Sequence, residues 1–139
     1  MTAIADYSRK RKIDYTIEAG GKVEETVDRL IKELSSRGFG VLSNIDVQKI
    51  IKEKLKEDID SYVILDVCSP KHAKKAIDAH KGVGLILPCK VTVFQDHGKV
   101  WVSLYKPTEA INLLGYEDLN SLAAQVEDEL KRAIDTLLS

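Results

Sequence analysis

The chain has 139 residues, 44% of them hydrophobic, and a formal net charge of −1. This length fits one domain, and this share of hydrophobic residues is enough to build a core without disulfides or metals. The near-zero charge gives no overall attraction to nucleic acid, no apolar run approaches the roughly 20 residues that span a bilayer, and the first residues lack a signal-peptide segment. We therefore predict a cytoplasmic protein that binds neither nucleic acid nor membrane and keeps its two cysteines reduced.

The charge is distributed unevenly at the start of the chain, where residues 9–12 are all basic. A short basic run at a chain end is most often a solvated tail that needs no partner. We predict a basic, flexible N-terminal tail over residues 1–11 and a single domain over residues 12–139.

The first half of that domain carries two strand patterns and two helix patterns. Alternating apolar and polar residues over 13–18 predict a strand with one wet face. Apolar residues at helical spacing over 23–34 predict a helix that ends at Gly38. Residues 39–45 predict a second strand, and Asp46 is placed to cap a short helix whose apolar residues face inward.

The middle of the chain predicts a buried strand, a helix and an interrupted strand. Residues 62–68 are nearly all apolar, as in a strand that is buried on both faces. Ser69-Pro70 is a typical helix start, with a capping hydroxyl before a proline in the first turn. Residues 83–94 predict a long strand that Pro88 interrupts, because proline removes a ladder donor.

The last part of the chain predicts a hairpin and two helices. Residues 95–99 form the turn, and residues 100–105 return as the partner strand. A short helix over 107–115 and a long amphipathic helix over 119–137 follow. The order β-α-β-α-β-α-β-β-α-α predicts an α+β fold, a two-layer sandwich with one mixed five-stranded sheet and helices packed on it.

The two cysteines stand near prolines at the edges of apolar runs. Cys68 comes just before a predicted helix N-terminus, whose dipole lowers a thiol pKa and raises reactivity. Cys89 follows Pro88, where irregular backbone leaves polar groups free to meet a ligand. The connecting segment predicts parallel strands, adjacent or one apart, with the sulfurs roughly 4–8 Å apart at the rim of one pocket. The alternative is that both thiols are packed and inert.

Two further polar residues lie close to Cys68 in the sequence. His72 stands on the first turn of the following helix, and Asp66 is an acid in an apolar strand. With Cys89 they offer a metal-ligand set, but their spacing matches no standard zinc pattern, so we predict no metal. Asp66 is either a functional acid or base or, as we favour, a strand-end carboxylate that reaches water. The predicted ligand-binding residues are Cys68, Cys89, Ser69, Pro88, Asp66 and His72.

Three longer motifs resemble the domain-of-unknown-function 302 family over about residues 13–138. They are Gly-Phe-Gly-Val-Leu-Ser-Asn-Ile-Asp-Val at 38–47, Ile-Leu-Asp-Val-Cys-Ser-Pro-Lys-His-Ala at 64–73 and Gly-Leu-Ile-Leu-Pro-Cys-Lys-Val at 84–91. Family members usually carry Cys-Asn-Pro where this chain has Cys-Ser-Pro. The resemblance implies a compact α+β sandwich that forms homodimers, no established activity, and a link to sulfur or thiol metabolism through neighbouring genes.

Three functional hypotheses follow. The first is a small, homodimeric binding domain whose ligand, a small thiol, a sulfur species, a haem or a metal, lies around Cys68 and Cys89. The second is an enzyme that uses the thiolate of Cys68, with Cys89 or His72 assisting. The third is a structural or interaction domain with inert cysteines. The chain has neither a phosphate-binding glycine loop nor a Gly-x-Ser-x-Gly elbow, so we assign no cofactor and no catalytic residue.

Overall fold

The structure is a computed structural model that describes residues 10–138. The predicted basic tail over residues 1–11 lies almost entirely outside this range. Where the described part begins, Arg11 donates from Nε and Nη2 to the two carboxylate oxygens of Asp14, at 2.8 and 2.9 Å.

The described residues form strands and helices in the predicted order. Their bounds are β1 Asp14–Ala19, α1 Val23–Ser36, β2 Gly40–Asp46, α2 Val47–Leu55, β3 Tyr62–Cys68, α3 Pro70–Ala79, β4 Cys89–Asp96, β5 Lys99–Tyr105, α4 Pro107–Leu114 and α5 Asn120–Asp135. Short 3₁₀ helices occupy Lys81–Leu85 and Glu117–Leu119. In this part of the chain, no helix combines the length and the hydrophobicity needed to cross a bilayer.

The five strands form one sheet in the order β1-β5-β4-β3-β2, and every neighbouring pair is antiparallel. The prediction of an α+β fold with a single five-stranded sheet is confirmed, but the prediction of a mixed sheet is wrong. The segment from β3 to β4 brings the chain back at the same end of the sheet, so no parallel crossover forms. Val67 consequently lies opposite Cys89 in the register of β3 with β4.

The main core lies between one face of the sheet and the two long helices α1 and α5. Leu30 of α1 and Leu130 of α5 are fully buried against Val93 and Val102 of the central strands. This packing follows from the helical spacing of apolar residues in both helices, which places their side chains on one face. The predicted packing of the first and last long helices on the sheet is therefore observed.

Hydrogen bonds to the side chain of Glu127 link helix α4 to helix α5. Glu127 is buried, and its Oε1 accepts hydrogen bonds from the backbone N and the Oγ1 of Thr108, at 3.1 and 2.7 Å. These bonds, with an ion pair from Lys131 at 3.0 Å, hold the pKa of the Glu127 carboxyl below its ordinary value although burial acts in the opposite direction. The buried charge is thus paired, as a buried carboxylate must be.

Two predicted elements differ from the structure. The region predicted as a long strand over 83–94 begins as a 3₁₀ helix, and β4 starts only at Cys89, after a cis Leu87–Pro88 peptide bond. The short helix α2 is capped by Asp46, which accepts from the backbone N of Lys49 at 3.0 Å, as predicted. However, α2, which follows the edge strand β2, buries none of its residues, so the prediction that its apolar residues face inward is wrong.

Strand β3 also differs from its prediction. Leu65 and Val67 are fully buried, whereas the alternate positions are only half-buried. The strand is therefore buried on the face that α1 and α5 cover and not on both faces. The long apolar run at 62–68 predicted a strand correctly, but a run of this kind does not determine how many faces are covered.

Candidate functional site

The ends of three strands meet at one end of the sheet. Strand β3 ends at Cys68, β4 begins at Cys89, and β5 ends at Tyr105. Because these three neighbouring strands alternate in direction, these residues lie at the same end of the sheet. The prediction that the two cysteine-bearing strands would be parallel is wrong, because β3 and β4 pair antiparallel, and it is this antiparallel pairing that places both cysteines at neighbouring strand ends. A parallel pair would have placed the end of β3 and the start of β4 at opposite ends of the sheet.

A cavity of about 70 Å³ opens at this end of the sheet, between the sheet and helices α3, α4 and α5. Cys68, Ser69, His72 and Cys89 all line it. The rest of its wall is mainly apolar and is formed by Phe39, Val67, Ala73, Ala76, Val83, Ile86, Leu87, Pro107, Ala110, Ile111, Leu119, Leu122, Ala123 and Val126, together with Lys90 and Tyr105. Apolar side chains, most of them aliphatic, therefore dominate the wall of this cavity.

Both thiols are free and half-buried. Burial raises the pKa of Cys89 to about 11, and the negative charge of a nearby Cys68 thiolate contributes in the same direction. Burial also raises the pKa of Cys68. The expectation that the pKa of Cys68 would be lowered is therefore wrong, because the loss of hydration on burial sets the direction of the shift. At neutral pH both groups are thiols and not thiolates.

His72 is the most deeply buried polar residue at this site. It is 9% exposed, its ring lies 6.2 Å from the ring of Phe39, and its Nε2 lies 3.4 Å from Oε2 of Glu129 on α5. Its Nδ1 is buried and has no hydrogen-bond partner. A residue that lines the cavity therefore contains a buried side-chain atom whose hydrogen-bonding capacity is unused.

Asp66 and Pro88 do not line the cavity, although both were predicted to belong to the site. Asp66 alternates with the buried residues of β3, accepts a hydrogen bond from Ser43 Oγ at 2.5 Å, and lies 3.4 Å from Lys90 Nζ. The hydrogen bond from Ser43 is the main cause that lowers the pKa of Asp66, and the charge of Lys90 adds to it. Asp66 is thus a paired, ionised carboxylate.

Ser69 occupies the position before α3, and Pro70 lies in the first turn of this helix, as predicted. Its side chain, however, makes no capping hydrogen bond. Across residues 10–138, no group of three or more His, Cys, Asp or Glu side chains is arranged to hold a metal ion. The spatial neighbours Cys68, Cys89 and His72 therefore do not form a metal-ligand cluster.

The sequence did not predict that the last third of the chain would contribute eight of the twenty residues that line the cavity. Ile111 of α4 and Leu122 of α5 belong to this wall, and a 3₁₀ segment contributes Val83. That segment is held by His80, which stacks on Tyr116 with ring centroids 4.1 Å apart. The helical spacing of apolar residues in α4 and α5 was the available signal, but such spacing predicts burial without predicting a void.

Comparison with known proteins agrees with this architecture. A model of the family "Domain of unknown function DUF302" matches residues 15–137. The crystal structure of an uncharacterized conserved DUF302 protein from Bacillus stearothermophilus is 31% identical, with a TM-score of 0.87, and the alignment covers 91% of this chain and 99% of that one. The search of curated proteins found no match. The chain therefore belongs to the DUF302 family.

Proposed function

We propose that this protein is a binding domain for a small, largely apolar molecule that occupies the cavity beside Cys68 and Cys89. The observation that carries the proposal is the cavity itself. It lies at the end of the sheet, opens to the surface, and has a mostly aliphatic wall with a few polar groups. Sites of this composition are typical of small-molecule pockets in proteins.

The size of the cavity restricts the class of ligand. Its volume of about 70 Å³ is roughly half the ~150 Å³ of an apolar protein cavity that holds benzene. A haem, one of the ligands considered from the sequence, is far larger than this enclosed space. Small thiols, thioethers and other compact molecules fit the proposal better, and a role in sulfur or thiol metabolism rests on the family resemblance.

The chemistry of the thiols favours binding over nucleophilic catalysis. A nucleophilic cysteine reacts as the thiolate, whereas the pKa values of Cys68 and Cys89 are both raised. Neutral thiols are small, polarizable groups that pack well against apolar ligands. The thiol-dependent enzyme and the inert interaction domain remain the alternatives, and the cytoplasmic location remains a prediction.

Furan, a small five-membered ring, is a suitable probe of the cavity. We expect furan to bind with a millimolar dissociation constant and to shift the backbone amide resonances of residues around the cavity in a two-dimensional NMR titration. Ala73→Leu places three additional carbons at the cavity wall and should abolish saturable binding. The control is Ala79→Leu, the same change on an exposed position of the same helix, which should bind furan like the wild type.

Unchanged resonances in the wild-type protein at saturating furan would contradict the proposal. Equal loss of binding in the Ala73→Leu and Ala79→Leu proteins would also contradict it, because the effect would then not depend on the cavity. Thermal unfolding of both variants checks that the fold is intact, since overpacking typically costs about 1–3 kcal/mol.

We also propose that the protein is a homodimer, which the family resemblance implies. Helices α1 and α5 pack on one face of the sheet, so neither of them covers the opposite face, where Thr92 and Ser103 lie side by side. A second copy of the chain is the occupant we propose for that face. Sedimentation at micromolar concentration should give twice the chain mass of 15.5 kDa.

A charged substitution at the centre of that face should shift the assembly. Thr92→Arg is expected to give the monomer mass at the same concentration, because two like charges would meet across the interface. Leu113→Arg, at an exposed position of α4, should leave the mass unchanged. A wild-type protein that sediments as a monomer would disprove the homodimer.

A further inference from the structure

We propose that His72 is the polar anchor of the cavity, and that the natural ligand is a small apolar molecule with one hydrogen-bond donor, which it gives to Nδ1 of His72. This inference rests on the proposed binding function and specifies the chemistry of the ligand. Two observations carry it together. His72 lines the cavity and is 9% exposed, and its Nδ1 is, among residues 10–138, the one buried side-chain nitrogen or oxygen without a hydrogen-bond partner.

The surroundings of the ring determine which nitrogen carries the proton. Nε2 lies 3.4 Å from Oε2 of Glu129, which is a carboxylate oxygen and accepts hydrogen bonds. In a neutral imidazole, one nitrogen is a donor and the other an acceptor. The Glu129 carboxylate therefore favours the tautomer with the proton on Nε2, in which Nδ1 keeps its lone pair. Nδ1 is an acceptor, and a ligand satisfies it by donating.

The thiols next to His72 do not satisfy this acceptor. A cysteine S–H is a weak donor, yet neither Cys68 nor Cys89 is a hydrogen-bond partner of Nδ1. A buried acceptor without a partner is unfavourable, so a ligand that supplies one donor removes this penalty in addition to filling apolar space. A hydroxyl, a thiol or an N–H on a compact apolar body has this chemistry.

The contacts of the His72 ring hold it in one orientation, as a polar anchor requires. Glu129 on α5 and the ring of Phe39 contact His72 from two sides, so its orientation is fixed before a ligand binds. Preorganised polar groups in an apolar pocket determine which ligand binds and in which orientation. His72 therefore selects for a donor, while the aliphatic wall selects for size.

Pyrrole and furan form a matched pair of probes for this inference. The two rings are nearly identical in shape, but pyrrole carries an N–H donor where furan carries an oxygen acceptor. We expect the wild-type protein to bind pyrrole about fivefold more tightly than furan, as a net gain of one hydrogen bond predicts. His72→Phe removes the acceptor and retains an aromatic ring. In this variant the affinity for pyrrole should fall roughly tenfold relative to the affinity for furan.

Two control variants separate a specific effect from a general one. His72→Asn presents a side-chain amide oxygen near the position of Nδ1, so it should restore part of the preference for pyrrole. His97→Asn changes an exposed histidine in the β4–β5 turn and should behave like the wild type.

The ¹⁵N resonances of the histidine rings give a second readout, which is recorded on the wild-type protein itself. The chain has three histidines, and the resonances that disappear in His72→Asn identify His72. In the free protein Nδ1 of His72 should resonate as an unprotonated nitrogen. Pyrrole should move this resonance upfield, and furan should leave it in place.

The outcomes distinguish the inference from the proposed function. If neither ring binds, the proposed binding function is wrong. If both rings bind in the cavity with equal affinity and the ¹⁵N resonance of Nδ1 does not move, the cavity binds small molecules but His72 is not its anchor. A free protein in which Nδ1 is protonated would also overturn the inference, because Nδ1 would then be a donor.

Discussion

Alkylation of Cys89 by iodoacetamide at pH 7 is expected to be about 100-fold slower than alkylation of a cysteine with an ordinary pKa. Burial raises the pKa of Cys89 from its usual 9.0 to about 11. Each unit reduces the thiolate fraction at neutral pH about tenfold, and the thiolate is the species that reacts. The rate should rise about tenfold for each pH unit and level off only near pH 11.

Cys68→Ser isolates Cys89 for this measurement and removes the smaller, Cys68-dependent part of its pKa shift, so the plateau in this variant should lie somewhat below pH 11, and Cys89→Ser isolates Cys68. Cys68 should also react more slowly than an ordinary thiol, because burial raises its pKa. The same variants in denaturant serve as controls and should react like a free cysteine. Rapid alkylation of Cys68 near neutral pH would support the thiol-dependent enzyme and contradict the interpretation of both groups as neutral thiols.

Of the proposed substitutions, truncation of Leu65 should lower the stability of the fold most. Leu65 is fully buried in β3, with β2 on one side and β4 on the other, and it does not line the cavity. Leu65→Ala removes buried methyl groups and leaves a void, so the free energy of unfolding should fall by about 3 kcal/mol. Urea unfolding followed by circular dichroism measures this change.

Leu85→Ala is the matched control for the Leu65 substitution. Leu85 is 83% exposed in the 3₁₀ segment, and an exposed truncation of this kind changes stability by less than about 0.5 kcal/mol. A loss below about 1 kcal/mol in Leu65→Ala would mean that Leu65 is not packed in the core as described here. A similar loss in both variants would lead to the same conclusion.

Much of the fold could be predicted from local patterns. Apolar alternation and helical spacing predicted the five strands and the two long helices. The β4–β5 hairpin was also predictable, because His97 and Gly98 form its two-residue turn with positive φ at both positions. Strand direction was not predictable in this way, because no local signal distinguishes a long antiparallel connection from a parallel crossover.

The candidate site was predicted in part. The prolines beside Cys68 and Cys89 indicated strand ends, and the structure brings both residues to one cavity. The environment of each residue was less predictable, because it depends on distant parts of the chain. Helices α4 and α5 contribute to the cavity wall around the thiols, and Glu129 of α5 faces His72, a contact between residues that are far apart in the sequence.

A crystal structure determined under xenon pressure would test the central claim most directly, that the enclosed space beside the two thiols accepts a small apolar molecule. Xenon enters dry apolar cavities and is located by its anomalous scattering. We predict a strong anomalous peak between His72, Cys89 and Ile111, which is absent in Ala73→Leu and present in Ala79→Leu. A structure with no peak in this space, at a pressure that loads other proteins, would contradict the proposed binding function.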